Sequence, residues 1–271
     1  MRVSHPGDFT DGAARRPKRL RFYFVTVHFI GAGPGAADLL TLRAVDHLRA
    51  SPVCVYAGTY IDDAILAHCS AGTRMVDTAS MDLDAIIAEL VAADTRGEDV
   101  ARLCSGDPSL YSALAEQSAR LDAEGIAWDV TPGVPAYAAA AATLRVELTV
   151  PELAQSVVLT RAQARSTAMP DGERLSAFAA TGSTLVLHLA ITRTRLLAEE
   201  LTGYYGSECP VAVVFHASKP DQLVLTGTLG DIAEQVEAAG LKQAAVILVG
   251  PAVGRTPGAE SHLYDACRDR A

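Results

Sequence analysis

Two glycine turns hold the residues best placed to do chemistry. One is Ser105-Gly106-Asp107-Pro108, inside the run RLCSGDPSLY that ends at Tyr111; the other, Gly31-Ala32-Gly33-Pro34-Gly35, breaks a similar apolar run 75 residues earlier. In an open α/β sheet, small molecules sit in the crevice beyond the carboxyl ends of the strands, where glycine lets backbone N–H and C=O groups approach the ligand. The two turns therefore predict one site and a cofactor held largely by main chain. Asp107 is expected to cap a helix starting at Pro108, a residue suited to the first helical position. Tyr111 is expected one turn later, facing the same crevice. Pro132-Gly133-Val134-Pro135 supplies a further tight turn at that sheet edge.

Other chemistries find less support. Gly31-x-Gly33-x-x-Ala36 has the outline of a dinucleotide fingerprint, but Pro34 removes an N–H from the cradle. The next apolar run ends at Tyr56-Ala57-Gly58, with no acidic residue for a ribose hydroxyl. The seven histidines make no Ser-His-Asp, Cys-His or H-E-x-x-H arrangement, so hydrolysis has no basis. Five scattered cysteines, Cys54, Cys69, Cys104, Cys209 and Cys267, without a C-x-x-C pair, argue against a disulfide framework and a zinc site and suit a reducing cytoplasm.

The elements that must position these turns follow from periodicity. Residues 25–30, 53–56, 75–76, 100–104 and 128–131 are short apolar, β-branched runs that predict buried strands. Between them, residues 38–49 and 83–91 carry apolar positions at helical spacing. Strands alternating with helices predict a parallel sheet over 25–135. An alanine-rich helix over 136–144 opens a hinge expected to span 136–152. Beyond it, strand-like runs at 156–160, 184–189, 211–215, 223–228 and 245–249, with helices near 194–201 and 230–239, predict a second α/β domain over 153–254. Lys219-Pro220-Asp221 lies so close before residue 223 that part of this second sheet should be antiparallel.

With 271 residues, 49% hydrophobic and 20% charged, the chain can bury a sizeable core. No window approaches the roughly 18 uninterrupted apolar residues of a membrane span, so no membrane partner is expected. The first 24 residues read as a basic arm and 255–271 as a tail. Removing the arm's +4 from the total of −9 leaves −13 on residues 22–271, which argues against a nucleic-acid partner.

GAGPG after the first strand, the early YAG at Tyr56 to Gly58, SGDPSLY and PGVPA, in that order, resemble the tetrapyrrole methylase family over about residues 25–254. The C-terminal half narrows the likeness. Glu147-Leu148-Thr149-Val150-Pro151, Gln155-Ser156-Val157-Val158-Leu159-Thr160-Arg161, Met169-Pro170-Asp171-Gly172-Glu173 and the run HASKPDQLVLTGTL from His216 are similar to the precorrin-4 C(11)-methyltransferases of cobalamin synthesis. The spacing within Ser166-Thr167-Ala168-Met169-Pro170 departs from that pattern.

The resemblance implies S-adenosylmethionine bound in a folded shape between two α/β domains of a homodimer, with a ring carbon of a small-molecule tetrapyrrole as methyl acceptor. Cofactor contacts carry over to Pro34, Ser105, Gly106, Asp107, Tyr111, Pro135, Ala136, Leu189, Ala190, Ala217 and Ala245, most of them small or apolar. Arg161 and Arg165 are the expected clamps for substrate carboxylates, because guanidinium groups grip carboxylates bidentately. No catalytic base is assigned; Glu147, Tyr56 and His216 are candidates through their place in the motifs. No metal ligands belong to the protein in this view. The alternatives left open are a cobalt-containing precorrin-4, another ring carbon, an oxidoreductase with a nucleotide cofactor, and a non-catalytic tetrapyrrole binder.

Overall fold

The computed structural model describes residues 27–162 and 168–254. Its first half alternates strand and helix: β1 Val27–Gly31, α1 Leu42–Ala50, β2 Val53–Tyr56, α2 Asp63–Leu66, β3 Arg74–Asp77, α3 Leu83–Arg96, β4 Val100–Cys104, α4 Leu114–Glu124, β5 Trp128–Thr131 and α5 Ala136–Leu144. The second half runs β6 Val157–Arg161, α6 Leu175–Ala179, β7 Thr184–His188, α7 Thr194–Tyr205, β8 Pro210–Phe215, β9 Leu223–Thr228, α8 Ile232–Ala238 and β10 Ala245–Val249. The fold is therefore α/β, with a first sheet in the order β3-β2-β4-β1-β5 and a second in the order β6-β7-β10-β8-β9.

All four pairings of the first sheet are parallel. Helices cover both of its faces, which is why its strands read as continuous apolar runs. Phe29 of β1 packs with Leu90 and Leu121 on one face, while Ile30 packs with Ala44 and Leu48 on the other. Removing each such side chain from water contributes about 1.5–3 kcal/mol. Even Arg102 on β4 is interior, its Nε donating to Gln117 Oε1 at 3.0 Å.

In the second sheet only β6 and β7 are parallel; β7–β10, β10–β8 and β8–β9 are antiparallel, the last joined by the tight connection at 216–222. One face is covered by α6, α7 and α8. The other receives Ala139, Ala140 and Leu144 of α5, which pack against Val186, Ala212, Val214 and Leu248.

Two expected helix starts move by more than three residues. Residues 38–49 do not form one helix: a single 3-10 turn, Ala37–Leu39, precedes α1, whose start is fixed by Thr41 Oγ1 accepting from Ala44 N at 3.1 Å. Leu42, read as part of an apolar stripe, is 86% exposed at that start. Nor does a helix begin at Pro108, since α4 starts at Leu114 and residues 108–112 are turns and bends.

Candidate functional site

The loops that follow β1, β4 and β5 meet above the carboxyl edge of the first sheet, because those three strands are neighbours. Ala32 N donates to Cys104 O at 2.8 Å, and Gly33 and Gly106 exchange backbone hydrogen bonds of 3.1 and 2.8 Å. A Cβ placed on Gly133 would lie 2.2 Å from Gly106 O and 2.7 Å from Gly31 Cα, so three loops touch backbone to backbone where no side chain fits.

Asp107 ties this contact together rather than capping a helix. Its Oδ2 accepts from Gly133 N at 2.8 Å, and its Oδ1 accepts from Ser109 N at 2.8 Å and from Ser109 Oγ. Partial burial works to raise its pKa, but the hydrogen bonds from Ser109 and Gly133 outweigh it and hold the carboxyl below the usual carboxylate range.

Facing this edge, the second sheet closes a cavity of about 450 Å³, within the roughly 300–1,000 Å³ typical of small-molecule sites. Because β10 runs antiparallel to β7 and β8, its first residues lie beside their last ones, and all three strands deliver residues to one wall. That wall includes His188, Leu189, His216, Ala217, Ala244 and Ala245. The connection between β8 and β9 reaches the first loop, where Ala36 N donates to Ser218 Oγ at 3.0 Å. Leu189, His216, Ser218 and Ala244 all have positive φ, between 47° and 70°. Such backbone is uncommon for non-glycine residues and clusters at ligand sites.

Most of the residues singled out in the sequence come together. Pro34, Ser105, Gly106, Asp107, Tyr111, Pro135 and Ala136 line the cavity from the first half, and Leu189, Ala217 and Ala245 from the second. Leu189, whose placement next to a strand suggested core, is 64% exposed because its positive φ turns it out of β7. Ala190 is the exception: it is fully buried in the core under α7 rather than on the wall.

Arg161 ends β6 in register with His188 but does not line the cavity; its charge nonetheless bears on Tyr111, whose hydroxyl pKa is raised by burial against that influence. Arg165 lies outside the described residues. Among the candidate bases, His216 is on the wall, its Nδ1 2.7 Å from Asp221 Oδ2 and its ring stacked on Phe215. Tyr56 and Glu147 are off it.

Sequence reasoning missed His188, Lys219 and Lys242, all on the wall. His188 Nε2 is buried without a hydrogen-bond partner, its ring lies 5.5 Å from that of Tyr111, and burial lowers its pKa. Its position at the end of a predicted strand, just before Leu189, was the available signal. The lysines sit in polar connections that carry no periodicity. Small walls, close backbone and two ammonium groups give this cavity the means to hold a cofactor by main chain and to pair a carboxylate.

The comparisons agree with this architecture. The family model for tetrapyrrole (corrin/porphyrin) methylases matches residues 26–233. A precorrin-4 C(11)-methyltransferase from Rhodococcus erythropolis is 54% identical over 91% of this chain and 99% of its own length. A cobalt-precorrin-4 C(11)-methyltransferase from Methanocaldococcus jannaschii is 40% identical over 88% of this chain and 92% of its own. The X-ray structure of a cobalt precorrin-4 methyltransferase superposes with a TM-score of 0.81 at 34% identity, covering 84% of this chain and 95% of that one. A uroporphyrin-III C-methyltransferase from Thermus thermophilus, solved with S-adenosylhomocysteine, superposes with a TM-score of 0.71 at 27% identity, covering 84% and 98%. With its family model, its relatives and both of its sheets in agreement, this chain belongs to the tetrapyrrole methylases.

Proposed function

We propose that this protein methylates precorrin-4 at C(11) in cobalamin synthesis, with S-adenosylmethionine seated in the cavity between the two sheets. Near full-length similarity to the Rhodococcus enzyme, at 54% identity and therefore through both cavity walls, carries the assignment. A second reading, the cobalt-containing substrate, is favoured by the solved cobalt precorrin-4 enzyme and is less well supported by its 34% identity.

When bound, S-adenosylmethionine supplies an electrophilic methyl on a sulfonium, so the protein has no nucleophile to provide. What the chain contributes is position. The Gly33–Gly106 backbone pair, Pro34 and Ser105 form one side of the cradle, and Leu189, Ala217 and Ala245 the other. Alignment of donor and acceptor within such a cradle lowers a barrier by up to about 7–11 kcal/mol. Ionised Asp107 braces the cradle and places a negative charge beside a cationic donor.

Transfer breaks an S–C bond, forms a C–C bond and leaves the macrocycle with one proton to lose. His216, oriented by Asp221, is the imidazole on the wall best arranged to take it up. Arg161, whose charge reaches Tyr111 on the cavity wall, serves as a clamp for substrate carboxylates. The protein works as a homodimer in the cytoplasm, a setting consistent with Cys54, Cys69, Cys104 and Cys209 being free thiols.

Calorimetric titration with S-adenosylhomocysteine, then with NADH and FAD, tests the cofactor. Stoichiometric binding of S-adenosylhomocysteine alone is expected; binding of NADH or FAD in its place, or of none of them, overturns the proposal.

A further inference from the structure

At the end of the first sheet away from the cavity, three side chains form a cluster with no part in methyl transfer. β1 and β5 pair in parallel with His28 opposite Asp129, so the two side chains share a face, and His28 Nδ1 lies 2.9 Å from Asp129 Oδ1. That face of β1 otherwise packs Ile30 against Ala44 and Leu48 of α1. α1 brings His47 onto the same spot, its ring centroid 3.9 Å from that of His28 at a 31° tilt. A strand buried at every residue, as β1 is, ordinarily carries apolar side chains there, and His28 is only 9% exposed. Two imidazoles and a carboxylate therefore converge from three rigid elements, one donor atom of each lying within 4.8 Å of the others.

We propose that His28, His47 and Asp129 form a binding site for a divalent transition metal ion of the zinc, cobalt or nickel type. The donor set selects the ion: imidazole nitrogens suit these metals, whereas magnesium and calcium prefer all-oxygen shells. A tetrahedral ion with bonds of about 2.0–2.2 Å needs ligand atoms roughly 3.3 Å apart, so metal binding requires the stacked His28 and His47 rings to turn until one nitrogen of each faces the ion. Three protein ligands leave the fourth position to water. Asp129, with 41% of its side chain exposed, is the open side by which the ion enters. The site lies at the second residue of β1 and of β5, about 10 Å from the glycine turn at the other end of β1 given 3.3 Å per residue. Metal there ties β1, β5 and α1 together without touching the cavity.

Cobalt(II) titration of the full, chelator-treated chain, followed by visible absorption and calorimetry, tests the site. One equivalent is expected to give the visible bands of a four-coordinate ion and to raise the melting temperature. His47→Asn and Asp129→Asn, each confirmed folded by circular dichroism, are expected to weaken binding roughly tenfold or more while leaving S-adenosylhomocysteine affinity unchanged. Should the wild-type chain take up no stoichiometric cobalt, or should both variants bind it as tightly as wild type, the three residues are a hydrogen-bonded buried cluster only and the proposal fails.

Discussion

The two cavity walls solve the same problem with different residues. On the parallel side, the unusual backbone where the loops meet belongs to glycines: Gly33 and Gly106 have φ of 74° and 68°, Gly31 and Gly133 meet where a Cβ would collide, and Tyr111, at 53°, is the one described non-glycine lining residue of that side with positive φ. On the mixed side, the same left-handed backbone is adopted by Leu189, His216, Ser218 and Ala244. The parallel wall is thus relaxed and tightly hydrogen-bonded where its loops meet, with strain confined to Tyr111, whereas the other holds strain of order 1–2 kcal/mol at each of four residues. A parallel sheet can offer a ligand only the loops at one edge. The mixed sheet offers strand ends of both directions, and hence side chains as well as backbone.

Substitution at the glycines should break this contrast most severely. Gly133→Ala forces a Cβ into Gly106 O and is expected to cost at least about 3 kcal/mol of stability and to abolish S-adenosylhomocysteine binding, read by denaturant melts and calorimetry. Asp107→Ala removes the bonds to Gly133 and Ser109; a loss of about 1–3 kcal/mol is expected in the same melts, with cofactor affinity reduced. On the opposite wall the sign reverses. Ala244→Gly relieves a φ of 52° and should stabilise by about 1 kcal/mol, raising the melting temperature by roughly 2–4 °C. If Ala244→Gly destabilises instead, the strain assigned to that wall is absent.

The smallest effect concerns His188. Burial lowers its pKa below the ordinary 6.5, so between the two values the unfolded chain binds more protons than the folded one. Stability should therefore fall as the pH drops from 6.5 toward the folded pKa, then level off. Melting scans of wild type and His188→Asn across pH 5 to 8 isolate the contribution, which the variant lacks.

Much of the fold was legible because the parallel strands are buried on both faces and their apolar runs end in turn residues. The pairing of loops was legible for the same reason: glycine at a strand end has few other uses. What resisted reading depends on tertiary distance. Asp107 looks like a helix cap because Ser109 is local, while its bond to Gly133 spans 26 residues. Leu189 has the composition of a core residue, and only its backbone dihedral turns it outward. His188, Lys219 and Lys242 reach the cavity through the antiparallel registers of β7, β8 and β10, which no local pattern encodes. The His28–His47–Asp129 cluster likewise spans 101 residues across one strand register.

The most direct measurement is a single-turnover reaction of the purified protein with precorrin-4 and S-adenosylmethionine labelled with carbon-13 in its methyl group, followed by NMR of the macrocycle. One labelled methyl at C(11), with one equivalent of S-adenosylhomocysteine, is the predicted result. Label at any other ring position, or no transfer although S-adenosylhomocysteine binds, would contradict the account.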